Sequence, residues 1–151
     1  MFLKEYHEGC EAPSSYLIGD ERTATAIVVN PRQDIAPYLA DAQNHGWTIR
    51  HVFLTQRQPY HGTAYQQLRE RTGALIHRSA RVRGAKGFIP HADGDSLTLG
   101  SVRLCVMEPP NGGADAINLL VFDLERDPEQ PCALLGSDTR YQGCQTTNPR
   151  L

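Results

Sequence analysis

The chain lacks any apolar run near the ~20 residues a helix needs to cross a bilayer, which excludes a helical membrane span. Residues 1–8, Met-Phe-Leu-Lys-Glu-Tyr-His-Glu, have no hydrophobic core of the kind a secretory signal carries. Neither charge sign is in excess, with 15 Lys and Arg against 17 Asp and Glu. Without a basic stripe to track phosphates, nucleic acid is not an expected partner. A Walker motif and a dinucleotide fingerprint are both missing. So is any Cys-x-x-Cys pair: Cys10, Cys105, Cys132 and Cys144 stand far apart, and in a reducing compartment they read as thiols. These absences together predict a cytoplasmic protein that neither spans a membrane nor binds nucleic acid.

What remains is ordinary globular material. At 151 residues the simplest expectation is one domain over 1–151. A chain of this length buries roughly 68–70% of the surface its unfolded form exposes, so it needs no metal or disulfide merely to fold.

The chain alternates short β segments with amphipathic ones. Residues 1–7 read as a strand. Residues 14–19 and 24–30 form a hairpin around a polar turn at Asp20-Glu21-Arg22. Ile35, Leu39 and Ala42 recur at helical spacing, which predicts a helix over 33–45 closed by Gly46, with Pro37 near its first turn. A strand over 48–54, a helix over 61–72 stopped by Gly73, and a strand over 74–77 follow. The rhythm then changes to strands at 88–91, 96–99, 102–107, 116–123 and 132–135, with Asp93-Gly94-Asp95 and Leu99-Gly100-Ser101 as turns. The order implies an α/β or α+β sandwich with helices covering a sheet. Cys105, in an alternating strand, is expected in the core.

Several stretches, taken in order, resemble the metallo-β-lactamase superfamily, most closely its persulfide dioxygenase and glyoxalase II branch. They are residues 9–19 and Ala26-Ile27-Val28-Val29-Asn30-Pro31-Arg32, where the family usually has Asp in place of Asn30. Residues 46–55 and 68–74 come next, then Asp93-Gly94-Asp95 with Leu97, Leu99, Gly100 and Val102, and finally Gly136-Ser137-Asp138-Thr139. The resemblance implies a metallo-β-lactamase-like αβ/βα sandwich with mixed sheets and flanking helices. Because the chain stops at Leu151, it also implies a shortened domain without the C-terminal part of the family fold.

The resemblance further implies a metal site, and here the chain departs from it. The family reads Thr-His-x-His-x-Asp-His after a strand, where this chain reads Thr55-Gln56-Arg57-Gln58-Pro59-Tyr60-His61. Gln56 and Gln58 stand for two histidines and Tyr60 for the aspartate. His61 is kept. The family's next histidine falls near Asn111 and Gly112, where there is none. Asp138 remains as the acid that would bind or bridge metal. Neutral amides are poor ligands beside imidazole for zinc or iron. The expectation is therefore a vestigial pocket of Gln56, Gln58, Tyr60, His61, Asn111, Gly112 and Asp138, with no catalytic residues and no cofactor. In that pocket the amides, with Arg57 or Arg140, neutralise Asp138. If a metal is held, His61 and Asp138 hold it, and the metal is zinc or iron.

The leading functional expectation is a non-catalytic pseudoenzyme that binds a small thiol or a protein partner and forms a homodimer. One alternative is a metal-dependent persulfide dioxygenase or thioester hydrolase. Another is a sulfur carrier acting through Cys144, which would need a depressed pKa and exposure. Residues 77–86 form a basic cluster, read as a solvated face or as an anion site for a carboxylate-bearing ligand. His77 and His91 are expected to be structural or surface residues, and the spacing of His7, His45 and His51 suggests no cluster.

Overall fold

The computed structural model describes residues 1–6, 14–56, 64–82, 86–110 and 115–136. Two sheets face each other. The first holds β1 (Phe2–Tyr6), β2 (Ser15–Asp20), β3 (Thr25–Val29), β4 (Thr48–Phe53), β5 (Leu75–Ser79) and β6 (Ile89–His91), in that spatial order. Its first three strands are antiparallel, and β3 through β6 run parallel. Helix α1 (Ala36–His45) links β3 to β4, and α2 (Ala64–Thr72) links β4 to β5. The second sheet is antiparallel, in the order β10 (Ala133–Gly136), β9 (Asn118–Asp123), β8 (Val102–Met107), β7 (Ser96–Leu99).

The residue pattern explains these layers. Every residue of β3 is buried, as expected of a parallel strand covered on both faces. Leu17, Ala26, Val28, Val52, Leu54 and Ile76 point toward Tyr38, Ala42, Ala64 and Leu68 of the helices. Ile18, Ile27, Val29 and Phe53 point the other way and meet Leu104, Val106, Leu119, Val121 and Leu135 of the second sheet. β8 alternates strictly, with Val102, Leu104 and Val106 buried against the first sheet. Cys105 therefore lies half-buried on the outer face with Arg103, not in the core as its strand context suggested.

Helix α1 starts at Ala36 rather than residue 33, with Pro37 in its first turn. Had the helix begun earlier, Pro37 would sit where an N–H must reach back to a carbonyl, and proline has none. Asp34 instead accepts a hydrogen bond from the Ala36 amide at 3.0 Å.

Two features have no counterpart in the simple pattern. The register between β3 and β4 shifts at Ala26/Ile27, which leaves Arg50 opposite no residue of β3. The extra residue reverses the facing of the rest of β4. Ile49 and Val52 both face the helices although three residues apart, and His51 joins Phe53 on the face toward the second sheet. The second feature is Asp20, which the sequence places in a polar turn and which is completely buried. Its carboxylate accepts from the Thr23 amide (2.9 Å) and hydroxyl (2.6 Å) on one side, and from the Ser101 amide (3.1 Å) and hydroxyl on the other. The β2–β3 turn of one sheet is thus tied to the β7–β8 turn of the other. Gly100, at φ 56°, makes the approach possible, since a Cβ there would run into the Asp20 carboxylate.

Candidate functional site

In open α/β sheets, ligands gather beyond the carboxyl ends of parallel strands. At that end of β3, Asn30 adopts a left-handed backbone (φ 53°) and its amide N–H donates to the Phe53 carbonyl at 2.9 Å. Its side chain clamps the end of β4: Asn30 Nδ2 donates to Thr55 Oγ1 (2.7 Å), and the Thr55 N–H donates to Asn30 Oδ1 (2.9 Å). Both residues are buried. The Thr55 carbonyl accepts from the Ile117 amide at 2.8 Å, which brings the start of β9 to the end of β4. Gly136, the last residue of β10, pairs with Asn118. The chain therefore leaves β4, enters β9 and leaves β10 at one place. Gln56, half-buried, is the first residue out of β4 after Thr55. Asn118 Oδ1 is buried there without a hydrogen-bond partner among the described residues.

Of the pocket read from the sequence, the structure places Gln56. Gln58, Tyr60, His61, Asn111, Gly112 and Asp138 lie outside the described residues, as do Cys10, Arg57, Arg140 and Cys144. Gln56 and Gly136 belong to the edge just described.

A second polar group was not visible in the sequence. His51 Nδ1 lies 2.9 Å from His77 Nε2, and His77 Nδ1 lies 2.7 Å from His91 Nε2. Three imidazoles thus form a line across β4, β5 and β6, where spacing suggested no cluster for His51 and a separate structural or surface role for His77 and His91. The line continues toward Asp95 Oδ2, 3.9 Å from His91 Nδ1. Phe53 stacks flat on His77, centroids 4.4 Å apart and planes 9° from parallel. Burial pulls the His77 pKa down to about 3, reinforced by its two imidazole neighbours. Burial also lowers the pKa of His51, with help from Arg50, and of His91, where Asp95 opposes the shift. The signal that could have exposed this group is the pairing of β4 with β5 and β5 with β6, which places His77 beside Phe53 and His91 beside Ser79. In the basic segment that begins within β5, Arg78 lies over the Phe88 ring at 4.6 Å and Arg81 pairs with Glu108 at 3.4 Å.

No protein-family model matches the chain. The hydroxyacylglutathione hydrolase of Hyphomonas neptunium is 28% identical over 134 residues, 85% of this chain and 48% of that protein. The cytoplasmic hydroxyacylglutathione hydrolase of Arabidopsis thaliana is 27% identical over 145 residues, 94% of this chain and 55% of that protein. Among solved structures, a metallo-β-lactamase from Staphylococcus aureus superposes with a TM-score of 0.76 at 22% identity, covering 89% of this chain and 42% of that one. ETHE1 from Myxococcus xanthus superposes with a TM-score of 0.70 at 30% identity, covering 80% and 54%. The chain has a metallo-β-lactamase fold, and its sequence is similar to those hydroxyacylglutathione hydrolases. It spans about half the length of the curated relatives it matches.

A metallo-β-lactamase fold implies a metal at the edge beyond β4, so the donors there can be tested against one. Zinc and iron sites take imidazole, thiolate or carboxylate ligands. The described polar side chains at this edge, Asn30, Thr55, Gln56 and Asn118, are neutral amides and a hydroxyl. Both polar atoms of the Asn30 side chain are engaged by Thr55. Among the described residues no three His, Cys, Asp or Glu side chains converge as a metal site. The three histidines of the line turn their nitrogens on one another rather than on a common point. The described residues at this edge do not by themselves supply a ligand set for zinc or iron.

Proposed function

We propose that this chain is a non-catalytic metallo-β-lactamase-fold domain that binds a ligand or partner at the edge beyond β4. The observation that carries the reading is the position of Thr55-Gln56 at the carboxyl end of a central parallel strand, clamped by Asn30. That is where the fold family's metal motif begins, and here the sequence continues with Gln58 and Tyr60 in place of ligands. Losing one outer partner of a metal ligand typically costs 10–100-fold in affinity, and losing several direct ligands costs more. The ligand proposed is a small thiol, in keeping with the hydroxyacylglutathione in the names of the curated relatives; a protein partner is the other form of the proposal. The cytosol is the proposed compartment, supported by the relative named as cytoplasmic. A homodimer belongs to the same proposal, drawing on the exposed Leu75 and Met107 side chains.

Restoring the ligands tests this reading. The triple variant Q56H/Q58H/Y60D is expected to bind zinc at least about 100-fold more tightly than the unaltered chain, by competition with a chromophoric chelator. Equal zinc affinity for the two would contradict it. The second reading is a metal-dependent thioester hydrolase or persulfide dioxygenase, favoured by the names of the two hydrolases and of ETHE1. It requires ligands recruited from outside the usual motif. A sulfur-carrier role for Cys144 is a third reading, tested by persulfide transfer to the unaltered chain against Cys144→Ser.

A further inference from the structure

We propose that His51, His77 and His91 work as one proton-operated switch: the line holds a single added proton with both of its hydrogen bonds intact, and breaks when it takes a second, loosening β5 and β6 from β4. The switch does not depend on the function proposed for the edge beyond β4.

Proton counting across the two N···N contacts gives the capacity. Each neutral imidazole has one N–H and one bare nitrogen. Three neutral rings can therefore line up head to tail in either direction; in the one that turns an N–H toward Asp95, His51 Nδ1–H donates to His77 Nε2 and His77 Nδ1–H donates to His91 Nε2, with His91 Nδ1–H 3.9 Å from Asp95 Oδ2. A fourth proton can be added to Nε2 of His51 without disturbing either bond. If both bonded protons shift across their gaps, the charge arrives at His91, facing the Asp95 carboxylate. In every four-proton state each gap still holds one proton. A fifth proton forces two N–H groups to face each other across one gap, and that gap must open.

Burial decides where the single charge rests. His77 is 2% exposed and stacked on Phe53, so a charge there is costly and passes through rather than stays. His51 is half-buried, and His91 has Asp95 beside it. Arg50 acts against a charge on His51 and Asp95 favours one on His91. Arg81, two residues beyond the end of β5, pairs with Glu108 at 3.4 Å. The line also sits where opening is easy. β6 has three residues and lies at the sheet's edge, held through pairing with β5 and through the Ala80 N–H donating to the His91 carbonyl at 2.8 Å.

The test is a pH titration of 15N-labelled protein, following 15N–15N coupling through the two imidazole hydrogen bonds together with amide exchange. Both couplings are expected at neutral pH and after the first proton is taken up. The second proton should abolish at least one and speed exchange at Ala80 about tenfold, the equivalent of one lost hydrogen bond, before β2 and β3 lose protection. Asp95→Asn keeps an acceptor for the Ala92 amide and should move the added proton to the His51 end. The proposal is overturned if coupling is absent at neutral pH, if the first proton removes it, or if it survives the second. It is also overturned if all strands lose protection in one step, or if Asp95→Asn leaves the proton's position unchanged.

Discussion

Asp20→Ala is expected to destabilise the protein by about 4 kcal/mol, read as a lower urea midpoint at unchanged slope. The expectation rests on what the carboxylate satisfies. Two backbone amides, Thr23 and Ser101, and their two hydroxyls donate to it, the Ser101 pair from a buried turn and the Thr23 pair from an exposed one. Alanine would strand the Ser101 amide and hydroxyl where water cannot reach, at about 1–3 kcal/mol for each buried group left unpaired. It would also cut a link between turns 81 residues apart in sequence. The charge adds a pH signature. Burial alone would raise the Asp20 pKa, but the hydrogen bonds from Ser101 and Thr23 outweigh it and hold the group at about 2, below its ordinary 3.8. Since the folded value is the lower one, this stability is complete above pH 4 and is lost as pH falls toward 2. Its size is about 2 kcal/mol, at ~1.4 kcal/mol per pKa unit. Asp20→Asn should remove that acid-side loss while leaving a folded protein. A loss under 1 kcal/mol for Asp20→Ala, on the order of an ordinary surface change, would mean that the two sheets do not depend on this tie.

The second large effect appears at milder acidity. His77 is held neutral, with a pKa near 3 against an ordinary 6.5. The unfolded chain therefore takes up a proton below pH 6.5 that the folded chain refuses. Stability is full above that pH and declines as pH falls through it. For His77 alone the decline reaches about 2 kcal/mol by pH 5. His51 and His91 shift in the same direction and steepen it. Urea midpoints measured from pH 7.5 to 5 should fall along this slope, well before Asp20 titrates, and His77→Phe should flatten the slope whatever it does to the absolute value. A stability that is level between pH 7 and 5 would show that the histidines are not held neutral by burial.

The sequence made the element order legible because local signals agree with the fold. The hairpin, both helices with their terminal glycines, and the late run of strands each arise from periodicity and turn residues. What escaped depended on distant pairing. His51 alternates with Ile49, so strand parity puts it toward the helices; the extra residue at Arg50 sends it to the opposite face, and only the β3–β4 register records that. Asp20 sits in an Asp-Glu-Arg run that reads as solvent-exposed, and nothing near it announces Ser101. For Cys105, alternation fixed which residues share a face of β8 but not which face meets the other sheet. The candidate site was legible as a string, Thr55-Gln56-Arg57-Gln58-Pro59-Tyr60-His61, because its departure from the family pattern is a matter of residue identity. The Asn30 clamp needed the structure, since it joins the ends of two parallel strands 25 residues apart.

Under the function we propose, the edge beyond β4 supports no metal-dependent turnover. The direct measurement is hydrolysis of a hydroxyacylglutathione thioester by the purified chain after incubation with zinc or iron, with and without a chelator. A rate equal to that of the buffer is expected in both cases. Turnover that appears with metal and vanishes with the chelator would contradict it.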